Sequence, residues 1–162
     1  MHLQWQRISE GQTGHEAAWQ LLEDMYRQQT GEEMPAVART PLGKPYFVDA
    51  PWHFSISHTK RHAFCVLADR PVGIDAEELD RPIRLELADK ILSPGEKAGY
   101  DTVPDKRLAL LKFWVLKEAQ KKCTGQGLQP YPRDTDFSLE DPRVQTIDGC
   151  LVAVIEEDDY VI

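Results

Sequence analysis

Hydrophobic and polar positions along the chain change period several times, and each change predicts an element. Leu3 to Ile8 alternates weakly, as an edge strand does. Thr13-Gly14-His15-Glu16 then reads as a capping box, with the threonine hydroxyl serving the orphan amides of a helix start and Glu16 reaching back. The helix it opens places Ala17, Leu21 and Met25 on one stripe, beside Ala18, Leu22 and Tyr26, and should end near Gly31. Pro35, Pro41, Pro45 and Pro51 mark an irregular connector. His53 to His58 alternates, with Phe54 and Ile56 on one pleat face and Ser55 and Ser57 on the other. His62 to Ala68 is a continuous apolar run, as expected of a strand buried on both faces. Val72 to Glu77 is a third strand, and the short Asp69-Arg70-Pro71 link suggests that it neighbours the second.

Helical patterning begins near Leu85. Ser93-Pro94-Gly95-Glu96 is a second helix start, with Pro94 where its missing amide does no harm. Asp105 to Cys123 carries the clearest helical stripe, Leu108, Leu111, Val115 and Ala119, with Gly125 just past its end. Strands are expected again at Phe137 to Leu139, at Arg143 to Ile147 and at Leu151 to Ile155, the last two joined by an Asp148-Gly149 hairpin turn. Tyr160 to Ile162 would begin a final strand. This mixed order points to an α+β fold rather than a doubly wound sheet.

The length of 162 residues suits one domain, residues 1–162, and can bury roughly two-thirds of its unfolded surface without a disulfide or metal staple. A formal charge of −8 argues against a general nucleic-acid binder. That charge is local: Asp134 to Ile162 holds nine acidic residues and one basic, so the rest of the chain is neutral. A solvated polar stretch explains this tail better than a metal or partner site. Lys106 to Lys122, by contrast, holds six basic residues and the single acid Glu118. Cys65, Cys123 and Cys150 are odd in number and form no C-x-x-C pair. With no secretory pattern at Met1 to Glu10 and no long apolar window, they suggest reduced thiols in a cytoplasmic protein without a membrane span.

Val72-Gly73-Ile74-Asp75-Ala76-Glu77 is the most informative stretch. On a strand, Asp75 and Glu77 share a face and repel each other, which a divalent cation such as Mg²⁺ would offset. Two hydrated acids at an exposed strand end are the competing explanation. On the predicted helix, Glu118 and Lys122 share a face that also carries Leu111, Trp114 and Val115, so they border the buried side. Glu118 could complete a metal site with Asp75 and Glu77, and Lys122 could neutralise a phosphate held there. Ser57, His58, Thr59, Lys60 and Arg61 gather donors suited to phosphate oxygens, although a lone histidine is more often structural. No nucleophile elbow is present, and Gly43-Lys44-Pro45 is too short for a P-loop.

Taken in order, Gly43-Lys44-Pro45-Tyr46, the FSISHT run, the VGIDAE run and the WVLKEAQKK run resemble the 4′-phosphopantetheinyl transferase superfamily, and more closely its surfactin-synthetase-activating branch. The resemblance covers about Leu42 to Leu128. It implies that family's fold, two small related α/β halves packed as one domain, here approximately 1–70 and 71–162. It also implies transfer of the phosphopantetheine arm of coenzyme A to a serine of an apo acyl or peptidyl carrier protein. By position, Asp75, Glu77 and Glu118 correspond to the family's Mg²⁺ acids, and Lys122 to the lysine on the coenzyme A pyrophosphate. Lys44, Ser57, His58 and, less closely, Arg61 correspond to coenzyme-binding residues. The serine hydroxyl needs a nearby base; Glu118, or a metal-bound water that it orients, is the candidate, and the resemblance leaves this open. The segment before Gly43 is shorter than in typical two-half members, which carry more basic coenzyme contacts there; Arg27 and Arg39 are candidate substitutes, although neither sits in a motif that aligns. That departure keeps open a non-catalytic homologue that binds coenzyme A or a carrier protein, and it leaves monomer or homo-oligomer undecided. A metal-dependent phosphoesterase accounts for the carboxylates but not for the GKP, SHT and lysine-bearing motifs.

Overall fold

The weakly alternating N-terminal segment forms β1 (His2–Arg7), and Thr13 caps α1 (Gly14–Thr30) by accepting the Glu16 amide. Gly31 ends that helix in the left-handed conformation, as its position predicts. The computed structural model describes residues 1–127, 130–131 and 135–157. β4 (His53–His58) and β5 (His62–Ala68) join β1 in an antiparallel sheet of order β1-β5-β4. The central β5 is buried at every position, which is why its sequence does not alternate. One of its faces, Ala63, Cys65 and Leu67, packs under the apolar stripe of α1. The other, Phe64, Val66 and Ala68, looks toward a second sheet.

That second sheet consists of β6 (Val72–Glu78), β7 (Val144–Ile147) and β8 (Cys150–Glu156) in the order β6-β8-β7, again antiparallel. Ile74 and Ala76 of β6 and Val152 and Val154 of β8 meet the inner face of β5, so the layer between the sheets is apolar. The outer face, with Leu151, Ala153 and Ile155 of β8, packs against Leu111, Val115 and Ala119 of α4 (Lys106–Thr124). Between β6 and α4 lie a 3-10 turn, Leu85–Leu87, and the short helices α2 (Ala88–Ile91) and α3 (Pro94–Tyr100). Ser93 and Glu96 form the predicted capping box at the start of α3. Asp148 and Gly149, at φ 46° and 80°, make the two-residue hairpin turn between β7 and β8. Among the described residues, no helix is long and apolar enough to cross a membrane.

Three local expectations change. The link 69–71 does not join neighbouring strands of one sheet; β5 has β1 and β4 on its two edges, so β6 has no edge there to pair with and crosses to the second sheet. Its contact with the first sheet runs through side chains instead. Ser55 Oγ accepts the Ile74 amide at 3.1 Å and Ser57 Oγ accepts the Ala76 amide at 3.2 Å. The proline-marked connector contains a small antiparallel pair, β2 (Val37–Arg39) and β3 (Pro45–Phe47). Pro45 opens its strand, a place where a missing donor leaves the ladder intact. Phe137 to Leu139 forms no strand, because the Phe137 amide donates to the Glu96 carboxylate at 2.7 Å rather than to a ladder. The strand expected at Tyr160 to Ile162 lies outside the described residues.

Candidate functional site

The side-chain seam between β4 and β6 is one wall of a cleft, and the C-terminal half of α4 is the opposite wall. What brings the walls together is Gly73. A β-carbon there would lie 2.0 Å from the Ala119 carbonyl oxygen and 2.5 Å from the Cys123 amide, so only glycine lets β6 run this close to α4. From that crossing the pleat sends Asp75 and Glu77 into the cleft, while the helix spacing sends Glu118 and Lys122 in from the other side. The connector adds Lys44 and Arg39, and the end of β4 adds Ser57 and His58. The cavity measures about 450 Å³.

Asp75 is its electrostatic centre. Lys122 Nζ donates to Asp75 Oδ1 at 3.2 Å and to the Ile56 carbonyl at 3.2 Å, which fixes the lysine between β4 and β6. Asp75 Oδ2 is buried and has no hydrogen-bond partner among the described residues. Burial pushes the Asp75 carboxyl up to about 7, with the neighbouring Glu77 and Glu118 charges adding to the rise and Lys122 opposing it. Lys122 offsets the burial and the neighbouring acids only in part. Glu77 is paired with Arg81, and Glu118 accepts a hydrogen bond from the Tyr131 hydroxyl. Burial and that contact raise the Tyr131 phenol far above its ordinary range, so it stays a donor. Lys121 lies 4.3 Å over the Tyr131 ring, which holds the ring against the helix.

These residues suit a hard divalent cation. Three carboxylates are the oxygen donors that Mg²⁺ takes, and the unpartnered Asp75 oxygen is the mark of a position that needs a positive charge. Lys44 has a different setting. Its ammonium donates to the Cys123 carbonyl at 2.7 Å, at the C-terminal turn of α4, and burial pushes its pKa down. Ser57, through its bond to the Ala76 amide, helps to hold the two sheets together as well as lining the cleft.

Of the residues singled out from the sequence, Lys44, Ser57, His58, Asp75, Glu77, Glu118 and Lys122 all line this cavity. Arg61 does not. It turns to the far end of the sheets, where it pairs with Asp80 at 2.9 Å and lies 3.5 Å from Glu78. Of the two arginines named as substitutes, Arg39 reaches the cleft, whereas Arg27 is paired with Glu33 on the outside of α1. Sequence reasoning missed the counter-groups Arg81 and Tyr131, as well as His15 and Trp19 on the cavity wall. Arg81 follows Glu77 by four residues, a spacing that carries weight in a helix and gave no signal in a strand.

Residues 71–158 match the family described as the 4′-phosphopantetheinyl transferase superfamily. Over 89 residues, 53% of this chain and 39% of the relative, the sequence is 35% identical to a 4′-phosphopantetheinyl transferase of Bacillus subtilis. Over 115 residues, 67% of this chain and 45% of the relative, it is 30% identical to one from Aneurinibacillus migulanus. The matched part is thus less than half the length of either relative. The solved holo-[acyl-carrier-protein] synthase of Thermotoga maritima matches 52% of this chain and 60% of its own, at 25% identity and a TM-score of 0.43.

Proposed function

Because the chain belongs to the 4′-phosphopantetheinyl transferase superfamily, on the side of its surfactin-synthetase-activating branch, we propose that it moves the phosphopantetheine arm of coenzyme A onto a serine of an apo acyl or peptidyl carrier protein. The observation that supports this reading best is the buried, unpartnered oxygen of Asp75 in a cleft shared with Glu77, Glu118, Lys44 and Lys122. Three acids beside two lysines suit a cation together with a pyrophosphate, and neither alone would explain both sets.

In the reaction, the serine oxygen bonds to the phosphorus that carries the pantetheine arm. The bond from that phosphorus to the bridging oxygen breaks, and adenosine 3′,5′-bisphosphate leaves with the electron pair. Asp75, Glu77 and Glu118 would hold a divalent cation, whose positive charge would offset the charge that grows on the leaving group. Lys122, anchored between Asp75 and the Ile56 carbonyl, would meet the same diphosphate from the helix side. Lys44, Ser57 and His58 would bind the remaining phosphate oxygens of the coenzyme. Glu118 would take the serine proton, directly or through a water, with the Tyr131 hydroxyl keeping the carboxylate aimed. Arg61, at the other end of the sheets, has no part in this. Such an enzyme would work in the cytoplasm, where coenzyme A and carrier proteins meet.

The test is intact mass of several apo carrier proteins after incubation with the protein, coenzyme A and Mg²⁺. A gain of one phosphopantetheine, lost with Glu118→Gln, is the expected result. Coenzyme A binding without any gain would instead favour the non-catalytic reading. Neither binding nor transfer would overturn the proposal.

A further inference from the structure

The layer between the two sheets is apolar along most of its length and ends in three groups of another kind. His62 of β5, Glu78 of β6 and Cys150 of β8 all point into this layer, on the same pleat faces as Phe64, Ala76 and Val152. All three are buried, and their donor atoms lie within 4.8 Å of one another. His62 Nδ1 is 3.0 Å from Glu78 Oε1 and 3.3 Å from Cys150 Sγ, and Cys150 Sγ is 3.5 Å from Glu78 Oε2. The cluster is remote from the cleft described above: His62 and Glu78 line a separate cavity, together with Arg61 and Asp148.

We propose that His62 Nδ1, Glu78 and Cys150 Sγ form a binding site for one Zn²⁺-class cation. Tetrahedral zinc, with bonds of about 2.3 Å to sulfur and about 2.0 Å to nitrogen or oxygen, sets neighbouring ligand atoms roughly 3.3–3.5 Å apart. His62 Nδ1 and Cys150 Sγ, 3.3 Å apart, are close to that spacing, with one Glu78 oxygen 3.0 Å from Nδ1 and the other 3.5 Å from Sγ.

The surroundings are also those of a metal centre. On the opposite side of the ring, His62 Nε2 is 2.8 Å from Asp148 Oδ2, and Asp148 is itself held by Arg7 at 2.8 Å. A proton on Nε2, donated to Asp148, leaves the Nδ1 lone pair facing a carboxylate oxygen and a sulfur. This carboxylate–histidine relay orients and strengthens metal-ligating imidazoles. Glu78 Oε1 is fixed in turn by the Thr59 hydroxyl at 2.7 Å and receives the Arg61 amide at 3.3 Å. A neutral imidazole, a carboxylate and a thiolate carry two negative charges, which one divalent cation cancels. Binding releases the thiol proton to solvent, and the adjoining cavity supplies a water for the fourth position. A soft sulfur ligand excludes Mg²⁺, so this site and the carboxylate cleft would take different metals. Its ligands come from both sheets, and the bound ion would tie them together.

The experiment uses the full chain after dialysis against a chelator, titrated with Co²⁺ as a spectroscopic stand-in for Zn²⁺. The expected result is one Co²⁺ per chain with a sulfur-to-cobalt charge-transfer band, displaced by Zn²⁺ and untouched by excess Mg²⁺. Cys150→Ser should abolish the band. Asp148→Asn, which leaves all three ligands in place, should weaken binding by roughly 10–100-fold. Absence of the band in the wild-type protein would overturn the proposal. Persistence of the same band in Cys150→Ser would overturn it as well, by assigning the sulfur to another cysteine.

Discussion

Asp75 controls how the cleft responds to pH. Its carboxyl stands at about 7 in the metal-free protein, against about 3.9 in an unfolded chain, so the folded state binds the proton more tightly. The stabilisation this gives is complete below the unfolded value and is lost as pH rises through 7. A cation that ligates Asp75 must displace that proton below pH 7 and meets an ionised group above it. Thermal melts should therefore show a larger Mg²⁺-induced rise in Tm at pH 8 than at pH 6. Asp75→Asn should melt higher than wild type without metal at pH 8 and lose the Mg²⁺ response. An equal Mg²⁺ response at both pH values, or one retained by the asparagine variant, would remove Asp75 from the metal site. The acids and Lys122 were legible in the sequence because strand and helix periods assign them to faces. Tyr131 and Arg81 were not, since nothing in a linear chain links Tyr131 to Glu118.

At the scale of elements, α4 does two jobs with adjacent residues. Glu118 faces the cleft, while Lys117, 1% exposed, points the other way, with Nζ 2.7 Å from Glu96 Oε1. Glu96 also accepts the Ser93 and Phe137 amides, so this buried carboxylate organises the start of α3 and the approach to β7. Removing one member of such a pair strands the other. Lys117→Met is expected to cost about 3–5 kcal/mol in urea denaturation, even though the helix keeps its propensity. In the sequence Lys117 is only one of six basic residues between Lys106 and Lys122, and packing alone shows that it is inside. Gly73→Ala tests the crossing of β6 and α4. The new methyl would overlap the helix backbone, so a loss of about 1–3 kcal/mol is expected, together with weaker Mg²⁺ binding as the two walls separate. Unchanged stability would mean that the strand and helix are not held in this close contact.

On the scale of the whole molecule, the two three-stranded sheets share no backbone ladder. They are joined by the apolar layer and by the Ser55 and Ser57 hydroxyls, which receive amides from the edge of β6. Ser55→Ala would leave the buried Ile74 amide unsatisfied and should lower stability by about 1–3 kcal/mol in urea denaturation. A loss within error would show that solvent reaches this seam and satisfies the amide. The same seam lines the cleft, which couples the packing of the sheets to the placement of Asp75 and Glu77.

What the linear order of residues determined by itself was local. Period and punctuation assigned the two long helices, most strands, their caps and the Asp148-Gly149 turn, because each depends on residues within a few positions of one another. They also set which side chains share a face, and so identified Asp75 with Glu77 and Glu118 with Lys122. Pairing across long separations was decided only in three dimensions. That β6 leaves the first sheet follows from both edges of β5 being taken, by strands that begin and end well apart in the chain. That Arg61 faces away from the cleft, and that His62, Glu78 and Cys150 converge, depends on how two sheets stack. Those contacts are set by the competition of whole faces for burial, and no window of sequence contains both partners.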